Sequence, residues 1–188
     1  GFRYVSIFDR KKEFVWDLNG DVVFKGNASI GSGCKISVSE EAKLILGSNY
    51  SISAHSCLDC NKYIEFGDSC LLSWDVLVMD ADYHKILKDE KVINHAKDIV
   101  IGNHVWIGNN VTILKGVRIP DNVIVACRSL ITKKILTPNS VVSGDGSGIT
   151  VINEGVNWEN GPEIIDNIVK KQSEAILNKR MCDMFSNK

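Results

Sequence analysis

Ile101-Gly-Asn-His-Val105-Trp, Ile107-Gly-Asn-Asn-Val111-Thr, Ile113-Leu-Lys-Gly-Val117-Arg, Ile119-Pro-Asp-Asn-Val123-Ile, Val125-Ala-Cys-Arg-Ser129-Leu and Ile131 run on without interruption. A large aliphatic residue returns every six positions, and a smaller one stands four places after each: Val105, Val111, Val117, Val123 and Ser129. This period is neither the two of an ordinary strand nor the 3.6 of a helix. It is the signature of a solenoid, and a six-residue period belongs to parallel β-helices. Each hexapeptide is one short strand plus a turn. Its aliphatic side chain points into a narrow interior that no single hexapeptide can bury alone, so coils must stack. Gly and Asn at the second to fourth positions suit turns, because both tolerate positive φ.

Upstream the same period is present with slips. Phe24, Ile30 and Ile36 are six apart, with Ala28 and Cys34 as small partners. Glu40-Glu41-Ala42-Lys43 interrupts as a short corner excursion. Leu46, Ile52 and Leu58 resume, with Ser56 as a small partner and Tyr50 as an oversized one. After a two-residue slip come Phe66, Leu72 and Val78, with Cys70 and Val76. The largest break, between Val78 and Ile99, is polar, charged and aperiodic. A loop of that length in a compact repeat is usually functional or disordered. The predicted organisation is a cap over residues 1–21, a β-helix over 22–143 with an excursion at 80–98, and a tail over 144–188. Residues 162–182 carry a helical pattern, with Pro162 and Glu163 in a first turn and Ile165, Ile168, Val169 and Ile176 on one face.

Composition narrows the function. A formal net charge of −1 argues against a nucleic-acid binder. No run approaches the ~18–20 apolar residues that cross a bilayer, and Gly1-Phe-Arg-Tyr does not read as a signal peptide. Of the six cysteines, Cys34 and Cys70 fall on the small inward position and read as buried thiols. Cys57 and Cys60 form a lone C-x-x-C without the second pair or nearby histidines of a structural zinc site. No metal is expected, and unpaired thiols suggest a reducing, cytoplasmic home. Four histidines are present. His55 and His104 stand three places after a repeat aliphatic and read as turn histidines. His95 lies in the excursion without a partner nearby in sequence. His84 lies where the excursion leaves the repeat, just after Asp80 and Asp82. A histidine there can remove a hydroxyl proton, and an adjacent carboxylate can fix its tautomer.

Taken together, these motifs resemble the hexapeptide-repeat acyltransferases, in particular the sugar and capsular-polysaccharide O-acetyltransferases. Val78-Met-Asp-Ala-Asp-Tyr-His84 is similar to the family segment that carries a catalytic histidine on a loop between coils. Leu58-Asp-Cys-Asn61 resembles a Leu-Asp-x-Asn motif whose Asn lines the acceptor and acetyl site. Asn103-His-Val-Trp106-Ile-Gly108-Asn109 resembles a run flanking the coenzyme A thiol arm. Val125-Ala126-Cys-Arg-Ser-Leu-Ile-Thr132-Lys133 resembles the stretch that contacts pantetheine and nucleotide. Three departures stand out: Arg128 where the family often has Gly, Gly144-Asp-Gly-Ser-Gly148 in place of Gly-Asn-Pro-Ala-Lys, and residues 1–21 without the N-terminal helical pattern of galactoside and maltose acetyltransferases, whose acceptors are therefore not carried over.

The resemblance implies an all-β, left-handed parallel β-helix of three hexapeptides per coil, hence about five coils here, and a homotrimer with sites between subunits. It also implies acetyl-CoA as co-substrate and direct transfer to a hydroxyl of a sugar or glycan precursor. His84 would be the general base, oriented by Asp82 or Asp80, with Asn61 assisting the oxyanion. Trp106, Gly108, Asn109, Ala126, Thr132 and Lys133 would bind the coenzyme. Within the same class, N-acetylation of a nucleotide-linked amino sugar differs only in the acceptor. A zinc hydratase of the γ-carbonic anhydrase type needs three converging histidines, and a non-catalytic β-helix needs only the repeat.

Overall fold

A computed structural model of the chain describes residues 13–159. Strands alternate with tight corners around a three-sided prism. The first coil is β1 (Val15–Leu18), β2 (Asp21–Phe24) and β3 (Ala28–Ile30), and the second is β4 (Lys35–Val38), β5 (Lys43–Leu46) and β6 (Tyr50–Ile52). The third is β7 (Cys57–Cys60), β8 (Tyr63–Phe66) and β9 (Leu71–Leu72). The fourth begins with β10 (Leu77–Met79) and throws out an arm holding β11 (Leu87–Lys88) and β12 (Lys91–Val92). It closes with β13 (Ile99–Ile101) and β14 (Trp106–Ile107). The fifth is β15 (Thr112–Leu114), β16 (Arg118–Ile119) and β17 (Val123–Val125). The last carries β18 (Leu130–Ile131) and β19 (Ser140–Gly144), and β20 (Ile149–Glu154) folds back on it.

Three sheets wall the prism, and β11 and β12 pair separately in the arm. The first is β1-β4-β7-β10-β15-β18, the second β2-β5-β8-β13-β16, and the third β3-β6-β9-β14-β17-β19-β20. Pairing is parallel throughout them except between β19 and β20, which are antiparallel. The whole is the parallel β-helix that the repeat predicts, with the left hand that the resemblance implies. It has about six turns rather than about five. The added turn lies at the start: β1, inside the stretch read as a cap, pairs in register with β4. Its apolar residues Val15, Trp16 and Leu18 remain exposed, because no earlier coil covers them among the described residues. Residues 1–12 of that cap, and the helix expected over 162–182, lie outside the described residues.

The interior matches the period. Ile36, Leu58, Val78, Ile113 and Ile131 stack from coil to coil without solvent exposure, and Leu72, Ile107 and Val125 do the same on the third sheet. Each such side chain contributes about 1.5–3 kcal/mol by burial, which is how short strands hold. The slips have a simple cause. Thr112 pairs with Leu130 at the ideal spacing of three hexapeptides, whereas Lys35 pairs with Cys57 across a longer coil. The extra residues sit at the corner between the first and second sheets. There the second sheet presents two inward residues per strand, as in Leu44 with Leu46 and Ile64 with Phe66.

The other two corners explain the turn residues. His55, Asp75, Asn110 and Arg128 have φ of 62°, 55°, 56° and 60° and stack above one another. Each donates its backbone N–H to the preceding coil, as Asp75 does to Ala54 and Arg128 to Asn109. Ser69, His104 and Asn122 form the equivalent column, with φ of 57°, 54° and 58°. His55 and His104 are therefore turn residues, as expected. His104 Nδ1 lies 3.0 Å from Asn122 Oδ1. Arg128 occupies a left-handed position, where glycine costs nothing and arginine is strained.

Tyr50 fills a position made for a small residue. It is buried, and its ring meets Phe66 edge-on with centroids 5.0 Å apart. Its hydroxyl has no hydrogen-bond partner among the described residues, and burial pushes the phenol well above its ordinary range. An unpaired buried hydroxyl costs about 1–3 kcal/mol. Tyr50→Phe therefore raises stability by about 1 kcal/mol, read as an upward shift of the unfolding midpoint. A downward shift would reveal a partner for the hydroxyl.

Candidate active site

The arm leaves the prism after Met79 and returns at Ile99. Asp80 makes the exit possible. It is fully buried, and its carboxylate accepts three backbone N–H groups: Asn61 at 2.7 Å, Lys62 at 2.9 Å and Tyr63 at 2.7 Å. Its own carbonyl accepts the N–H of Lys97 at 3.0 Å, closing the base of the arm. One side chain thus holds the turn of the third coil and the neck of the excursion. Lys62 pairs with Asp98 at 2.7 Å across the same neck. The arm is a hairpin whose two-residue loop, Asp89-Glu90, has φ of 48° and 60°, the mirror-image turn that matches strand twist.

His84 sits near the start of this arm, exposed, with its imidazole free of hydrogen bonds among the described residues. Its backbone is held instead. The N–H donates to Asp82 O at 2.7 Å, and the carbonyl accepts Asn94 Nδ2 at 2.7 Å. Both carboxylates considered as its orienter are engaged elsewhere. Asp80 serves the 61–63 turn. Asp82 Oδ2 accepts Lys115 Nζ, and Asn94 Nδ2 at 2.8 Å.

Lys115, then Asn94, hold the Asp82 carboxyl below the usual carboxylate range. A lowered carboxyl pKa gives stability that is present above the unfolded value. It is lost only as the pH falls through the folded one. The anchor therefore stays charged through neutral and mildly acidic pH.

Between Asp82 and His84 stands Tyr83 with φ of 60°, an uncommon conformation for a bulky residue. Its hydroxyl donates to Asp59 Oδ1 at 2.5 Å. Asp59, on the outer side of β7, also accepts Asn61 Nδ2 at 3.1 Å, and Asn61 Oδ1 accepts Ser39 Oγ at 2.9 Å. Asn61 is thereby brought to the corner where the arm emerges, in one polar cluster with Asp59 and Tyr83.

The residues matched to a coenzyme site lie elsewhere on the prism. Trp106 faces outward from the third sheet, half-exposed, and its Nε1 donates to Ser73 Oγ at 3.2 Å. Gly108 is at the next corner, where an added Cβ would lie 2.7 Å from Cys127 N and 2.8 Å from Val125 O. Glycine there is a requirement of coil stacking. Asn109 is exposed at the same corner, Ala126 follows one coil later, and Lys133 is exposed beyond β18. Thr132 Oγ1 donates to Gly146 O at 2.7 Å. In the departing segment Asp145 Oδ1 accepts Ser147 N, Ser147 Oγ and Gly148 N, so the loop closes on itself. Within one chain, then, the histidine arm and Trp106 occupy different faces.

Among the described residues no three His, Cys, Asp or Glu side chains converge as a metal site. Cys57 and Cys60 lie on one strand with three-residue spacing, which points them to opposite sides of the sheet. Burial pushes the Cys60 thiol up to about 12 and that of Cys70 to about 11, the behaviour of inert buried thiols. No helix among the described residues is long and apolar enough to cross a membrane.

Sequence reasoning did not find Lys115, Asn94, Tyr83 or Asp59. Lys115 stands in a turn and Asn94 in a charged tract, and no local pattern links either to His84. Asp59, Tyr83 and Lys115 lay inside quoted segments, but nothing local singled them out.

Comparison with known proteins supplies the family context. The family model described as "Bacterial transferase hexapeptide (six repeats)" matches residues 98–133. The polysialic acid O-acetyltransferase of Neisseria meningitidis is 49% identical over 55 residues, which is 28% of this chain and 26% of that protein. The polysialic acid O-acetyltransferase of Escherichia coli O1:K1 / APEC is 27% identical over 136 residues, 71% of this chain and 41% of that protein. The chain thus spans less than half the length of these two relatives. The solved polySia-specific acetyltransferase NeuO superposes with a TM-score of 0.63 at 28% identity, covering 75% of this chain and 64% of that one. Galactoside acetyltransferase in complex with coenzyme A superposes with a TM-score of 0.57 at 24% identity, over 74% of this chain and 72% of that one, a likeness of fold.

Proposed function

We propose that this chain, a left-handed β-helix protein of the hexapeptide-repeat acyltransferase superfamily, is an acetyl-CoA-dependent O-acetyltransferase acting on a hydroxyl of a sugar or polysaccharide precursor. The observation that carries the reading is the arm. A solenoid that served only as scaffold has no use for an exposed imidazole held on a hairpin beside a polar cluster. His84 takes the proton of the acceptor hydroxyl as that oxygen attacks the thioester carbonyl. Coenzyme A leaves as the thiol, and Asn61 with nearby backbone N–H groups offers donors to the oxyanion.

The coenzyme would lie along the edge carrying Trp106, Gly108, Asn109 and Ala126, reaching Thr132 and Lys133. This matches the resemblance of those segments and the family in which coenzyme complexes are known. His84 and Trp106 lie on different faces of one chain, so a homotrimer, with one chain's arm laid against its neighbour's coenzyme edge, is the assembly that completes a site. The buried free thiols suit a reducing, cytoplasmic home. The names of the relatives make polysialic acid the first acceptor to try.

The test is acetyl-CoA turnover against oligosialic acid, neutral galactosides and nucleotide-linked amino sugars, with the product's acetyl group located by mass spectrometry. Alkali-labile acetate on an oligosaccharide is the expected result. Alkali-stable acetamide on an amino sugar would establish the N-acyl reading instead. No turnover together with no coenzyme A binding by calorimetry would leave a non-catalytic β-helix.

A further inference from the structure

The carboxylate two residues before the base has a partner thirty-three positions away. Lys115 stands at the turn after β15, in the coil that follows the arm. Its ammonium donates to Asp82 Oδ2, and to the backbone carbonyl of Asn94 at 2.9 Å. Asn94 then uses its whole carboxamide. Nδ2 donates to Asp82 Oδ2 and to the His84 carbonyl, and Oδ1 accepts the N–H of Ile86 at 2.7 Å. An unbroken path of polar contacts thus runs from the fifth coil to the backbone of His84.

The lysine is also placed differently from the other ion-paired lysines among the described residues. Its side chain is 18% exposed, against 47% for Lys25 and 54% for Lys62. Beyond its neck and the Tyr83 hydroxyl bonded to Asp59, little else holds the arm. Ile86, Leu87 and Ile93, its large apolar residues, are all more than half exposed, so the hairpin buries almost no hydrophobic surface. A segment with so few buried apolar contacts opens readily unless polar contacts fix it.

We propose that Lys115 is a positioning residue for His84, holding the arm on the prism through Asp82 and Asn94 so that the imidazole stays in reach of the acceptor. The proposal rests on the reading of His84 as the base. It gives Asp82 a different task from fixing the imidazole tautomer: it is the arm's anchor. A shift of about 1 Å at a catalytic group can cost about 10²-fold in rate.

Lys115→Met keeps the stem and removes the donors. Two readouts are expected to move together. Amide hydrogen exchange over 82–96, followed by mass spectrometry on the full chain, rises by about tenfold or more while exchange in the coils stays unchanged. On the acceptor that wild type acetylates, kcat falls by about 10- to 100-fold while KM for acetyl-CoA stays within about twofold. Lys115→Arg restores most of both. In a His84→Ala background Lys115→Met costs nothing further.

Unchanged exchange in Lys115→Met would overturn the clamp. Faster exchange with wild-type kcat would overturn the positioning role while leaving His84 as the base. Full activity in His84→Ala would remove the base and the positioning role together. Accelerated exchange through the coils, with a matching loss of thermal stability, would reduce Lys115 to an ordinary structural residue.

Discussion

His84→Ala lowers acetyl transfer by about 10²-fold or more, with the coil stack intact. The size follows from what general-base catalysis contributes: without it the acceptor hydroxyl must attack still carrying its proton. The clean separation from folding follows from the structure. The imidazole is exposed and makes no hydrogen bond among the described residues, and the two bonds that hold residue 84 belong to its backbone. Alanine keeps both. An exposed substitution of this kind changes stability by no more than about 0.5 kcal/mol, so the loss of rate can be assigned to chemistry. The measurement is kcat on the identified acceptor beside the unfolding midpoint of the same preparation. A variant with wild-type kcat would take His84 out of the mechanism.

Asp80→Ala has the larger effect on the protein itself. It removes the acceptor of three part-buried backbone N–H groups at once, those of Asn61, Lys62 and Tyr63. Hydrogen bonds to a charged group contribute about 1.5–3 kcal/mol each, and donors left unpaired add their desolvation cost. A loss of about 3 kcal/mol or more is expected in equilibrium urea unfolding, with faster amide exchange at 61–63 and at the neck of the arm. Asp80→Asn recovers only part of it, because an amide accepts at one end and presents donors to donors at the other. A loss below about 1 kcal/mol would show that the turn finds other acceptors. The same substitution removes a negative charge beside Cys60. The Cys60 thiol, raised first by burial and then by Asp80, would move down while remaining above its ordinary value.

These two residues are four positions apart and were legible to very different degrees. His84 announced itself by type and place: a histidine at the exit of the longest break in a six-residue period. The inward stacks, the small corner residues and the left-handed turn positions could be read in the same way. Each depends on neighbours within six residues, and the pattern repeats until it becomes unmistakable. Asp80 and Asp82 looked interchangeable in sequence, as carboxylates on either side of one alanine. Stacking the coils separated them: Asp80 continues the inward side of Val78 just past the end of β10 and lies under the 61–63 turn, whereas by Asp82 the chain has left the prism and stands outside, beside Lys115. Tyr83 and Asp59, and Asn94 with Lys115, were silent for the same reason.

What the chain determined by itself is therefore the period, and with it the prism, because burying one aliphatic row requires every hexapeptide to turn alike. What only the tertiary structure decided is which charges meet. The β1 strand likewise became a coil only through its register with β4. Partners such as Lys115 and Asp82 come together across a coil lengthened by its own arm, and the physical reason is that stacking register, which sets such contacts, is a property of the assembled coils that no local stretch of sequence contains.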